Sequence, residues 1–235
     1  MQASAVPAEI VPSLPARLPA LQPVGRGPLA LVEALLKSPA SIIAEARESR
    51  NGVGMIPRLA AVVLVMVAFV GLVMSLFSGG MQLFVVPIKL TVGVFACALL
   101  CLPSLHVFSC LSGASQRIKD TFLALLLGVA LMSVLLVGLA PIAWIFSQAT
   151  SSTAVMGTVH LVFLVISCAF GLGLVKRALS AMNAAPVRVG LWSPLFVLVV
   201  LQMTTTLRPL VGPADGALIH GRSFFLAHWA ASIAE

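Results

Sequence analysis

The side chains of this chain that could do chemistry in an apolar setting are few: His106, His160, Lys89, and the polar run Gln202, Thr204, Thr205 and Thr206. Two imidazoles on facing helices can ligate a haem iron axially. A lysine at membrane depth can hold an anion or pair with a partner's carboxylate. Gln and Thr side chains inside a span usually act as hydrogen-bonding glue between helices, worth ~0.6 kcal/mol each, and only secondarily line a substrate path. The cysteines Cys97, Cys101, Cys110 and Cys168 lie in or beside apolar runs and read as small core residues. Cys97 and Cys101 share a helical face at i,i+4, and two thiols with no nearby histidine or carboxylate are a weak metal signal.

What is missing narrows the chemistry further. From Thr121 to Val175 there is no Asp, Glu, Lys or Arg, and none of the apolar runs contains an acidic residue. Intramembrane metalloproteases and aspartyl proteases need a carboxylate at depth, and proton-coupled carriers normally keep one. A serine protease would need a serine and a histidine at matching depth, whereas Ser167 falls toward the inner half of its run and His160 toward the outer end. No catalytic, cofactor-binding or metal-binding set emerges, so the sequence points away from an enzyme.

These residues must be positioned by membrane helices. Hydrophobic residues make up 60% of the chain and charged ones 9%, against roughly a quarter charged in a soluble domain. A bilayer core of ~30 Å needs about 20 apolar residues of helix. The runs predict an all-α, polytopic membrane helix bundle of five spans at about 59–77, 88–111, 122–146, 155–175 and 191–207, within a domain covering 55–211. Pro103 is expected to kink or end the second span, and Pro141 to disturb the last turn of the third. Lys89 then sits near the outer end of the second span, where its stem can snorkel to the headgroups.

Residues 1–28 are rich in Pro and Ala and are expected to form a flexible cytoplasmic tail. Segment 29–54 reads as two short amphipathic helices, with Ser38 as N-cap and Pro39 in the first turn of the second. Their apolar faces would lie on the membrane surface or against the bundle. Segment 212–235 reads as an outward tail whose Phe224, Phe225 and Trp229 form an aromatic interfacial helix. Basic residues alternate between connections: Arg17, Arg26, Lys37, Arg47, Arg50 and Arg58 before the first span, Arg117 and Lys119 after the second, and Lys176, Arg177 and Arg188 after the fourth. This positive-inside pattern puts the N-terminus in the cytoplasm and the C-terminus outside. It also explains the net charge of +7 without nucleic acid, for which no aromatic-interleaved basic cluster exists. In this topology His106 and His160 lie near opposite faces, ~15–20 Å apart along the membrane normal, too far for one iron.

The segments Cys101-Leu102-Pro103-Ser104-Leu105-His106-Val107-Phe108, Leu139-Ala140-Pro141-Ile142, Leu201-Gln202-Met203 and Leu207-Arg208-Pro209-Leu210-Val211-Gly212 resemble those of a bacterial family of five-helix membrane proteins without an assigned activity. The layout is also similar to Yip1-type membrane proteins. His106 stands where that family usually has an aromatic residue. The resemblance implies a multi-pass protein of the bacterial cytoplasmic (inner) membrane. Together these features suggest a non-catalytic accessory or scaffold subunit of a larger membrane complex. Its partners would be the lipid bilayer and other membrane subunits, and its contact candidates Lys89, Pro103, His106, His160, Gln202, Thr205, Arg208, Phe224, Phe225 and Trp229. The alternative is a small transporter or channel with a polar path past Lys89, Gln202 and the Pro103 break. A third reading is a subunit of a lipid-modifying or redox enzyme that contributes no catalytic residue itself.

Overall fold

The computed structural model describes residues 25, 27–48, 54–78, 80–112, 117–150, 153–181 and 189–206. They form seven helices: α1 (Pro28–Lys37), α2 (Pro39–Glu48), α3 (Met55–Ser78), α4 (Gln82–Leu111), α5 (Ile118–Ala149), α6 (Thr153–Ala181) and α7 (Val189–Thr206). No strand occurs among the described residues. An all-helical answer is what lipid imposes, because a helix satisfies its backbone N–H and C=O groups within one segment.

Four stretches are long and apolar enough to cross a membrane: Met55–Leu76, Gln82–Leu111, Ile118–Ala149 and Val155–Ala181. They mark a multi-pass membrane protein. The expected fifth span is shorter, an apolar stretch of Gly190–Thr204, which at 1.5 Å per residue covers ~22 Å against ~30 Å of hydrocarbon. Its apolar character runs out at Gln202 and the threonines that follow.

The helices outrun the expected spans. α4 begins at Gln82 rather than near Ile88, with Pro87 and Pro103 both inside it, and α5 continues past Pro141 to Ala149. Neither Pro103 nor Pro141 ends its helix. Proline costs one intrahelical hydrogen bond, and in lipid neighbouring helices and hydroxyls can offset that loss. Pro87 is itself a packing residue, since a Cβ on Gly71 of α3 would come within 2.6 Å of the Pro87 Cα. The turn joining α3 to α4 needs Gly80, whose φ is +59°, a conformation that a side chain disfavours by ~1–2 kcal/mol.

α5 is the central helix, packed against α3, α6 and α4. Its start is secured by Asp120, whose carboxylate accepts from the Arg117 backbone N–H at 3.2 Å and lies where the helix dipole favours an anion. From Leu123 through Ala130 every residue of α5 is buried. The crossing with α6 is a glycine pair: a Cβ on Gly128 would sit 2.9 Å from the Gly171 carbonyl oxygen, and one on Gly171 would sit 2.7 Å from that of Gly128. Close backbone approach of this kind replaces the hydrophobic effect as the source of association in lipid.

The two short helices settle against the bundle. α1 packs on α3 and α5, and α2 on α6, burying Leu31, Leu35, Ile42 and Ile43 in the same core as α5. Leu29 and Leu36 remain exposed on α1. Between the two helices, the Ser38 carbonyl accepts from both the backbone N–H and the hydroxyl of Ser41, at 3.0 and 2.7 Å.

Candidate functional site

Two polar centres lie at opposite ends of the bundle. The first is at the end that carries Arg117, Lys176 and Arg177, here termed the basic end. His106, on the penultimate turn of α4, places Nδ1 3.0 Å from the hydroxyl of Thr121 on α5, and Thr121 is fully buried. Its Nε2 lies 3.7 Å from Cys110 Sγ. Two residues before His106, the Ser104 hydroxyl donates to the Cys101 carbonyl at 2.9 Å and accepts the indole N–H of Trp192 at 2.9 Å. Trp192 is fully buried and stacks obliquely on Phe196, ring centres 5.2 Å apart. Buried indole N–H groups need such a partner, and this bond ties α7 to α4.

The second centre is His160 on α6. Its Nδ1 donates to the Met156 carbonyl at 2.8 Å, while Nε2 is buried without a partner among the described residues. The ring lines a cavity of about 20 Å³ between α3, α5 and α6, together with Val70, Val73, Met74, Leu136, Ala140, Ala143 and Phe163.

Measured along α5, Thr121 and the cavity residues Leu136–Ala143 are ~22–33 Å apart. The two imidazoles therefore cannot share one iron. Pro103 is exposed on α4, and Lys89 and Gln202 are half-buried. None of the three lines the cavity. From the Ser104–Trp192 bond, Lys89 lies ~22 Å along α4 and Gln202 ~15 Å along the neighbouring α7, which places them at different depths. Thr205 belongs to α7, but its side chain lies outside the described residues, as do Arg208, Phe224, Phe225 and Trp229 entirely.

Three of the cysteines, Cys97, Cys101 and Cys168, are buried and free, whereas Cys110 is exposed. The expectation that all four are core residues is corrected for Cys110, which the last turn of α4 turns outward. Among the described residues no three His, Cys, Asp or Glu side chains gather as a metal site. Sequence reasoning passed over Thr121, Ser104, Trp192 and Met74. A tryptophan within an uncharged span was the available clue, because its N–H must be satisfied, but the identity of its partner depends on helix packing.

Comparison with protein-family models, curated proteins and solved structures finds no match.

Proposed function

We infer that the protein is a non-catalytic accessory or scaffold subunit of a larger bacterial inner-membrane complex, acting through helix packing and interfacial docking. One observation supports this reading above the rest: polar groups at the basic end bond to one another within the bundle, while the outer faces of the helices carry large apolar side chains. On α4 these are Phe84, Ile88, Val92, Leu99 and Leu100, and on α5 Trp144, Ile145 and Phe146. Helices that keep polar contacts inside and present broad apolar faces suit lateral association with other membrane helices.

In this reading α7 completes a five-span bundle by local thinning of the bilayer or by snorkelling of its ends, with the N-terminus cytoplasmic and the C-terminus outside. The resemblance in the Cys101–Phe108 and Leu139–Ile142 segments supports a bacterial setting. Gentle solubilisation of native membranes, followed by size separation and identification of co-migrating proteins, tests the reading. A stoichiometric set of larger partners is expected, and a lone monomer or homo-oligomer overturns it. A reporter fused after Glu235 is expected to report an external C-terminus, and cytoplasmic activity would overturn the topology.

A further inference from the structure

We propose that Cys110 is a modification site: its thiol accepts a long-chain acyl group from an acyl thioester, with His106 as the base and Thr121 as the residue that positions the imidazole. Cys97, Cys101 and Cys168 are buried, whereas Cys110 is exposed, and its sulfur lies 3.7 Å from His106 Nε2. In the tautomer whose Nδ1–H donates to the Thr121 hydroxyl at 3.0 Å, Nε2 carries the lone pair and accepts the thiol S–H. A nucleophile within reach of a base, with the base oriented by a third group, is the arrangement that activates a thiol. Thr121 is fully buried and belongs to α5, so the ring is held from a second helix.

The surface beside the sulfur fits an acyl chain. Leu99, Leu100, Val107 and Leu111 are exposed large apolar side chains, and with the exposed Pro103 they share one face of α4 with Cys110. From Cys110 to Leu99 this stripe runs ~16 Å, about half of a ~30 Å hydrocarbon core and so the depth of one leaflet's acyl chains. Cys110 stands in the last turn of a helix long and apolar enough to cross the membrane, at the basic end. A chain attached there runs inward along the stripe from the interface. A metal ion fits the pair less well, because no third His, Cys, Asp or Glu gathers with it among the described residues.

In the step itself, His106 Nε2 takes the thiol proton as the sulfur attacks the donor's carbonyl carbon. The carbon–sulfur bond to Cys110 forms, the donor's carbon–sulfur bond breaks, and the imidazolium gives the proton to the departing thiolate. The products are the Cys110 thioester and a free thiol. The last turn of a helix offers carbonyl oxygens rather than the N–H donors of an oxyanion hole, so the reaction is a modification that stops at the thioester and not a turnover. This assignment is independent of the accessory-subunit reading.

The test uses the full chain in lipid nanodiscs, incubated with palmitoyl-coenzyme A and followed by intact mass and peptide mapping. One hydroxylamine-labile acyl group on Cys110 is expected. Cys110→Ala is expected to abolish it, since the other three thiols are buried. His106→Gln is expected to slow acylation about 100-fold, the low end for a general base. Thr121→Val is expected to slow it by a smaller factor, and Thr121→Ser, which keeps the hydroxyl, to retain the wild-type rate. An unmodified wild-type chain, acyl groups shared evenly among the four cysteines, or a rate unchanged in His106→Gln or Thr121→Val overturns the proposal.

Discussion

The two ends of α5 face different surroundings. Toward the basic end, Leu123–Ala130 are buried by α3, α4, α6 and the docked α1. Toward the other end, Ile142, Trp144, Ile145 and Phe146 are exposed, the core shrinks to Val70, Met74 and Val86 with a few neighbours, and a cavity opens beside His160. Both halves are apolar, so hydrophobicity does not distinguish them. The difference lies in the number of helices that reach each half, and it separates a densely packed half from a thinly covered one.

Substitutions at glycine should break this contrast most strongly. Gly171→Val drives a side chain into the Gly128 carbonyl and is expected to cost ~3 kcal/mol, the top of the overpacking range. Gly138→Val meets open space and should stay within ~0.5 kcal/mol. Thermal unfolding in detergent, followed by labelling of the buried Cys168 thiol, measures both. Equal melting of the two variants would refute the glycine crossing.

Truncation sharpens the comparison next. Leu126→Ala, at a site 1% exposed, should cost ~2 kcal/mol, the low end for a buried leucine because lipid weakens the transfer contribution. Ile145→Ala, at a site 61% exposed, should cost less than ~0.5 kcal/mol. The same melting assay reads the difference, and a larger loss at Ile145 would mean that this face is covered by a second chain.

Trp192→Phe removes the hydrogen bond to Ser104 and should cost ~1 kcal/mol, with faster hydrogen exchange confined to α7. Exchange that rises across the whole bundle would show that α7 is not a separately held element.

The smallest effect is expected at α1. Lys37 donates to Glu33 at 2.7 Å, and this bond, reinforced by the charge attraction, holds the Glu33 carboxyl below its ordinary 4.5 and the Lys37 ammonium above its ordinary 10.5. The depressed carboxyl contributes stability above 4.5 that is lost as pH falls through its folded value. The raised ammonium contributes below 10.5 and is lost as pH rises through its folded value. Because both side chains are exposed, Glu33→Gln should leave hydrogen exchange in α1 almost unchanged between those limits. A pronounced loss of protection would mean that the ion pair, and not Leu31 and Leu35, docks the helix.

Membrane residence and helical class were legible in the residues alone, as was the location of the four long spans. A helix in lipid closes its backbone hydrogen bonds within its own segment, so an apolar run of sufficient length suffices to predict it. Of the two outcomes expected at Pro103, a kink or an end, the second did not occur, because α4 continues through it to Leu111. The histidines lie at opposite ends of the bundle, but nothing in their spacing named Thr121 as the partner of His106. Only the tertiary structure decided which face of each helix turned inward, which glycines met, where α1 and α2 docked, and which end kept a cavity. The reason is that helices apolar on every side carry almost no amphipathic signal. Their rotation and neighbours are set by shape and by a few hydrogen bonds, which hydropathy does not record.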